Sequence, residues 1–475
     1  MKSDAAREFD NAKAMQWFCA IAGVILLIRL VSLWFNNSEL FFDEAQYWAW
    51  GKEPAFGYFS KPPLLAWIIG ATTSVCGDSE FCVRLPSAIL HTATAFVIFL
   101  TAQRLFSATV ALTAGVMWLL LPAVSLSSTL ISTDVPLLLC WSLALYAFIR
   151  LSEKRWLPTI VLALAFGLGL NAKYAMGFFL MCAIAYAIFS TDGREKVLSI
   201  RFAVAMATGF AMLIPNILWN AQNQFATVSH TGDNIGWGGG FPHLDRLAEF
   251  VSSQFGVVGP IIFAVYLIAL FRLFREGLSE TQKLLIAFSL PIFLLICFQA
   301  IMSKAFANWA ATAFPAVVIL TADLFVNRMP AIWSRLSNSI HAIVFLVLAV
   351  SVGFAAPGQL LLEGKQNPFE RMWGGRSHAE AIKQELAKSD YDYVLTHNRK
   401  SSATLLYYLR DTEIDILAWR GGVVPADHFQ LSRALQDVDP ETASQARFLY
   451  TTTALDPAKA IENQFGSITS LVEFP

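Results

Sequence analysis

Charge is what this sequence has least of. Asp, Glu, Lys and Arg make up 15% of its 475 residues, against roughly 25% in an ordinary soluble domain. The formal net charge is −1 and no basic block occurs, so nothing points to nucleic acid. Cysteine is scarce too: six residues are too few for a disulfide framework. Cys19, Cys140, Cys182 and Cys297 lie in apolar runs, where a cysteine usually serves as a small buried hydrophobe. A glycine-rich phosphate cradle is also missing. The segment GWGGGFP, residues 236–242, follows no strand and opens no suitable helix, and reads as a loop tip or lid. No soluble nucleotide cofactor is implied. The polar start, MKSDAAREFDNAKAMQW, precedes an apolar run that is too long for a signal peptide and lacks a small-residue cleavage site. It predicts an uncleaved first span.

What fills the chain instead is hydrocarbon. Hydrophobic residues account for 56% and the mean hydropathy is +0.53. They are bunched into runs of about 17–22 residues, the length that crosses a bilayer. The chain therefore predicts a polytopic α-helical membrane protein. Spans are expected near 16–35, 86–105, 108–124, 134–150, 157–173, 175–190, 200–219, 252–272, 283–302, 307–326 and 337–356, about eleven in all. A shorter apolar stretch at 63–75 is expected to lie in the interface, within the first external loop.

Lysine and arginine set the orientation. With a cytoplasmic N-terminus, the inside segments carry Arg7 and Lys13, Arg104, Arg150 with Lys154 and Arg155, Arg194 with Lys196 and Arg201, Arg272 with Arg275, and Arg328 with Arg335. An odd number of spans then sends residues 357–475 outside. That tail is charged and far less apolar, with helix-like SHAEAIKQELAKS and strand-like YDYVLTH and EIDILAW. The expected division is a transmembrane domain at 1–356 and a small external α/β domain at 357–475, long enough for its own core.

The same topology gathers the unusual polar residues on one face. The loop FFDEAQYWAWGKEPAFGYFSKPPLLAW, Phe41–Trp67, is external, and so are SLSSTLISTDVP, LNAKYAMG, the loop 216–249 and MSKAFANW. A charge near the bilayer costs about 2.5–3.5 kcal/mol on insertion scales, so such residues are functional candidates. Asp43 and Glu44 suit the N-terminus of a following helix, and equally suit general-base chemistry on a hydroxyl. Asp134 is an ordinary helix cap taken alone, but it is a second carboxylate at a second outer membrane mouth. Lys61, fixed by Pro62 and Pro63, suits a phosphate at headgroup depth or simple snorkelling. Lys173 and Lys304 recur at the same depth. Tyr58 and its aromatic neighbours suit interfacial anchoring, sugar stacking or a lipid groove. His230 is the external histidine to follow, and Asn216, Asn220 and Asn234 could meet sugar hydroxyls. Cys76 and Cys82 flank an external turn, and a short bridge or two free thiols both fit.

Carboxylate bases, fixed cations and aromatic surface beside lipid suit transfer of a group from a lipid phosphate to a polar acceptor. A transporter or flippase for a lipid-linked amphiphile is the rival reading, but no inverted repeat with broken mid-membrane helices is visible.

The order DEAQYW, GYFSKPPLLAW, RLPSA and STDVPLLLCW resembles the GT-C glycosyltransferases of the protein O-mannosyltransferase and aminoarabinose-transferase superfamily. The segment IPNILWNAQNQFATVSHTGDN is similar to one in bacterial members, among them lipopolysaccharide-core galacturonosyltransferases. The resemblance implies inverting transfer from a polyprenyl-phosphate sugar to a glycan, glycolipid or protein acceptor. The reaction would occur at the outer face of a bacterial inner membrane. By resemblance Asp43 is the base, Lys61 meets the donor phosphate, Asp134 is a second acidic position, and Lys304 lies in a late SK motif. Ser60 stands where aminoarabinose transferases carry an acidic residue linked to a metal, so neither a metal there nor that sugar is implied.

Overall fold

The computed structural model describes residues 4–153, 155–237, 241–359, 367, 369–452 and 465. Lys154, the middle of the glycine-rich segment (238–240) and most of the chain beyond 452 lie outside the described residues. Among the described residues, seven helices are long and apolar enough to cross a membrane. An eighth crossing results if Leu244–Val257 and Pro260–Arg272, bent by 117° to one another, count as one broken span. The protein is a multi-pass helical membrane protein. All eleven expected spans fall on apolar helices, but three of them, Ala108–Leu120, Leu157–Ala172 and Tyr174–Phe189, are only 10–17 residues long. The count of crossings by length is therefore lower than expected.

The interruptions have local causes. Pro122 opens a new helix directly after Leu121, and Ser107 caps the helix that it precedes by accepting from the Val110 amide. Lys173 adopts an extended backbone and ends Leu157–Ala172. Charges suit such breaks because the carbonyl end of a helix favours a cation, as at Lys173, and its amide end an anion, as at Asp134.

Between helices in lipid there is little hydrophobic driving force, so packing must hold them. Trp118, Trp141, Phe148, Phe166 and Phe179 fill the centre, each buried, with edge-on ring contacts such as Trp141–Phe179 at 5.4 Å. Ala307–Asn327 is the central span, 89% buried, whereas Ala331–Phe354 is only 22% buried and turns its apolar face outward.

The first loop folds into two short helices, α2 (Phe42–Lys52) and α3 (Leu64–Cys76), after the first span α1 (Asp4–Trp34). They cross backbone to backbone at Gly51 and Gly70. A Cβ on Gly51 would lie 2.8 Å from the Ala66 carbonyl oxygen. Cys76 and Cys82 are bridged by a disulfide, closing the turn between α3 and the Glu80–Leu105 helix.

After the last span the chain forms a three-stranded parallel sheet in the order β2–β1–β3, with β1 Tyr393–Thr396, β2 Asp415–Ala418 and β3 Phe448–Thr451. The expected helix appears as Gly375–Leu386 and the two expected strands as β1 and β2. The helix Arg399–Tyr408 lies against α2. Trp48, Trp50, Tyr58 and Leu65 from the first loop share one apolar cluster with Val394, Leu405, Tyr407 and Phe429 from the tail. Polar contacts seal the seam. Tyr408 Oη accepts from the Leu40 amide at 2.9 Å, Glu39 Oε2 accepts from the Gly375 amide at 2.7 Å, and Arg433 pairs with Glu53.

Candidate active site

Asp43 and Glu44 both occupy the first turn of α2, and neighbouring positions in sequence become opposite faces in space. Glu44 points inward and is 1% exposed. Its Oε1 accepts from Arg84 Nε at 2.9 Å and from the Ile131 amide at 3.0 Å. Its Oε2 accepts from Arg84 Nη2 at 2.7 Å and from the Phe41 amide at 3.0 Å. Arg84 donates in addition to the Ser38 and Glu39 carbonyls at 3.1 and 2.8 Å. A charge pair so fully bonded is closed to a reaction. It stitches the end of α1, the first loop and the stretch before Asp134 into one frame.

Asp43 faces the other way, into a partly open site, with its side chain 36% exposed. Its Oδ1 lies 2.9 Å from Arg399 Nη1, delivered by the tail. Across from it, Asp134 at the start of the Asp134–Ile149 helix accepts from Lys173 Nζ at 2.7 Å and Asn308 Nδ2 at 2.6 Å. Three helix ends distant in sequence meet at this carboxylate.

Lys61 completes the group. Residues 58 and 61 form a tight antiparallel bridge, with the Tyr58 amide donating to the Lys61 carbonyl at 3.1 Å. Among the described residues, Lys61 Nζ has no carboxylate within salt-bridge distance. Burial first, then the cation of Lys173, pushes its ammonium below the usual lysine range; Asp134 and Asp43 oppose this, and Arg399 adds to it. His230, on the Ala226–Ile235 helix, is pushed down by burial, then by Lys61 and Arg399. Lys61 thus lies within electrostatic reach of Asp43, Asp134, Lys173 and Arg399, and His230 within reach of Lys61, Arg399 and Asp43.

That site is braced by two short helices, Ile214–Gln222 and Ala226–Ile235. Asn216 donates to the Phe56 carbonyl at 2.8 Å and accepts from Tyr174 Oη at 2.7 Å, and Thr227 Oγ1 donates to the Tyr58 carbonyl at 2.7 Å. Tyr58 itself is 1% exposed, stacked on Trp50 at 4.5 Å, and its hydroxyl donates to the Trp50 carbonyl at 2.8 Å. Its ring faces the shared core rather than the open side. Asn234 is half-buried one turn beyond His230. Lys304 is exposed at the rim, its Nζ 5.8 Å from the Phe306 ring centre, four residues before Asn308 on the same segment. Among the described residues, no group of three or more His, Cys, Asp or Glu side chains is placed to hold a metal.

Sequence reasoning did not find Arg399, Asn308 or the role of Arg84. Arg84 stands in the RLPSA segment, and its place two residues past the cysteine pair was the available signal. Arg399 had none, because strand and helix order in the tail does not tell which loop meets α2.

Residues 60–219 match the family described as dolichyl-phosphate-mannose-protein mannosyltransferase. The chain is 36% identical over 411 residues to the lipid A galacturonosyltransferase RgtD of Rhizobium johnstonii, covering 86% of each sequence. It is also similar to the crystal structure of ArnT from Cupriavidus metallidurans in the apo state, with a TM-score of 0.63, 16% identity and 89% of each chain covered. The same enzyme bound to undecaprenyl phosphate matches with a TM-score of 0.62, 17% identity and 87% coverage of each chain.

Proposed function

Since the chain belongs to the family of the rhizobial lipid A galacturonosyltransferase, among the GT-C glycosyltransferases, we propose that it is an inverting uronosyltransferase. In this reading it moves a galacturonosyl group from a polyprenyl phosphate to a lipid A-type glycolipid in the cell envelope. One observation carries the reading: an open carboxylate, Asp43, shares a site with a cation, Lys61, that has no anion at salt-bridge distance among the described residues. A phosphate supplies that missing anion.

The donor phosphodiester lies at Lys61, with Lys173 behind it. The acceptor hydroxyl approaches sugar C1 from the opposite face and gives its proton to Asp43, whose Oδ2 is not the oxygen taken by Arg399. A new C1–O bond forms as the bond from C1 to the phosphate oxygen breaks. The electron pair leaves with polyprenyl phosphate, which gains one negative charge. Fixed cations stabilise that charge as it develops, without reorganising at the moment of reaction. The oxocarbenium-like centre needs no covalent intermediate when base and leaving group lie on opposite faces. Asp134 holds Lys173 in register, Glu44 holds α2 so that Asp43 points at the site, and Lys304 and Asn234 border the donor's lipid side. The site faces the outside of the bacterial inner membrane in this reading. The paired charges Arg150–Glu153 and Lys196–Asp192 lie in segments that the arginine and lysine bias assigns to the cytoplasm.

Asp43→Asn tests the assignment. The amide keeps the shape and loses the base, so release of polyprenyl phosphate should fall by about 10²–10⁴-fold in folded protein. Turnover within about tenfold of wild type would sink it.

A further inference from the structure

Two acid–base pairs stand side by side on the first turn of α2, and they are built differently. Glu44–Arg84 is closed, with side chains 2% and 1% exposed. Asp43–Arg399 is open, at 36% and 34%. Arg84 spends its donors on five acceptor contacts. Arg399 uses only Nη1, at 2.9 Å to Asp43 and a long 3.4 Å to Gln46 Oε1. Among the described residues, its Nε and Nη2 have no partner, although a guanidinium offers five N–H donors in a fork that matches a carboxylate. The Phe42 ring, 4.7 Å from the guanidinium carbon, holds its plane. Beside it Gln46, 1% exposed, keeps an amide nitrogen with no hydrogen-bond partner among the described residues. Buried polar groups are seldom left so, and this corner is incompletely satisfied.

Arg399 and Lys61 also share a neighbour: the His230 ring packs 5.7 Å from the Phe59 ring, two residues before Lys61, and both cations lower the pKa of that histidine. In a uronosyl phosphate the C6 carboxylate stands across one pyranose ring from the phosphate. We propose that Arg399, carried in by the C-terminal unit, recognises the carboxylate of the donor sugar and rests on Asp43 until that carboxylate arrives. The inference rests on the transferase reading above and adds to it the residue that selects the sugar. The exchange has a second consequence. When the guanidinium moves to the substrate carboxylate, it uncovers the Asp43 oxygen that it had held. A neutral sugar leaves the pair intact and that oxygen covered, so selection acts on kcat as well as on KM.

The test uses the full-length protein in lipid nanodiscs with two donors that differ only at C6, polyprenyl-phosphate galacturonic acid and polyprenyl-phosphate galactose. Wild type should prefer the uronosyl donor. Arg399→Gln should lower kcat/KM for it by about ten- to 150-fold, the worth of a charged hydrogen bond. Turnover of the galactosyl donor should hold or rise, so the preference collapses. Arg399→Lys, which keeps the charge and the contact with the seam, should retain part of the preference and guards against loss of fold. The ratio between donors cancels any common effect on Asp43. An equal fall with both donors overturns the inference and leaves Arg399 as a positioning residue for the base. Wild-type preference for galactose overturns it together with the uronosyl part of the reading above, while transfer from a polyprenyl phosphate stands. Release of polyprenyl phosphate from neither donor removes the transferase reading, and this inference with it.

Discussion

Replacing Lys61 with methionine should separate stability from function. The ammonium is largely buried, is pushed below the usual lysine range by that burial and by Lys173, and among the described residues has no carboxylate at salt-bridge distance. A buried charge without a tight partner is a cost to the fold, and an apolar side chain of similar volume is often neutral or stabilising in its place. Without donor, Lys61→Met should therefore melt at or above the wild-type temperature. The donor side moves the other way. A charged hydrogen bond is worth about 1.5–3 kcal/mol, and about 1.4 kcal/mol is a factor of ten. Donor kcat/KM should then fall by about ten- to 150-fold, with the acceptor KM little changed. The assay is thermal unfolding in detergent beside release of polyprenyl phosphate under limiting donor. A variant that melts several degrees lower yet keeps donor use within about threefold would refute the reasoning. Lys61 would then be a structural cation whose partner lies within the protein.

The pH dependence follows from the same group: donor capture needs the ammonium, so it is full below the lowered pKa of Lys61 and is lost as pH rises through it. Lys61→Arg, which does not deprotonate, should move that alkaline limb upward, and an unmoved limb assigns it to another group. Arg84→Leu strands Glu44 in the interior and should destabilise the protein by about 3–5 kcal/mol, as read by denaturant unfolding. A loss under about 1 kcal/mol would mean that the Glu44–Arg84 frame is dispensable. Cysteines introduced at Asp192 and Glu276 should label only from the cytoplasm, and those at Asn234 and Asp392 only from outside. Any one labelling from the wrong side breaks the single-face arrangement of the polar segments.

Much of the site could be seen in the sequence because charge is rare in it. Asp43, Lys61, Asp134 and Lys173 stand out where a residue costly to insert interrupts an apolar run, and the structure brings all four together. Glu44 and Tyr58 stand out equally in sequence, yet they turn to the closed side of the loop. Along a helix, adjacent residues are about 100° apart, so Asp43 and Glu44 cannot share a face. Which of them faces the site depends on where Arg84 and Arg399 arrive. Tyr58 is drawn inward by its stack on Trp50 and its bond to the Trp50 carbonyl, contacts that composition does not forecast.

Local sequence alone determined the material of this protein. Runs of apolar residues demand helices, because every backbone group in lipid must bond within its own segment. Proline, serine caps and isolated charges mark where those helices stop. The tail's helix and two of its strands follow from pattern in the same way. Tertiary structure decided what meets what. Lys173 and Asn308 converge on Asp134 from segments 39 and 174 residues away, and Arg399 reaches Asp43 only because the tail shares a core with α2. These pairings are set by packing between distant segments. Side-chain spacing within any one segment carries no record of it.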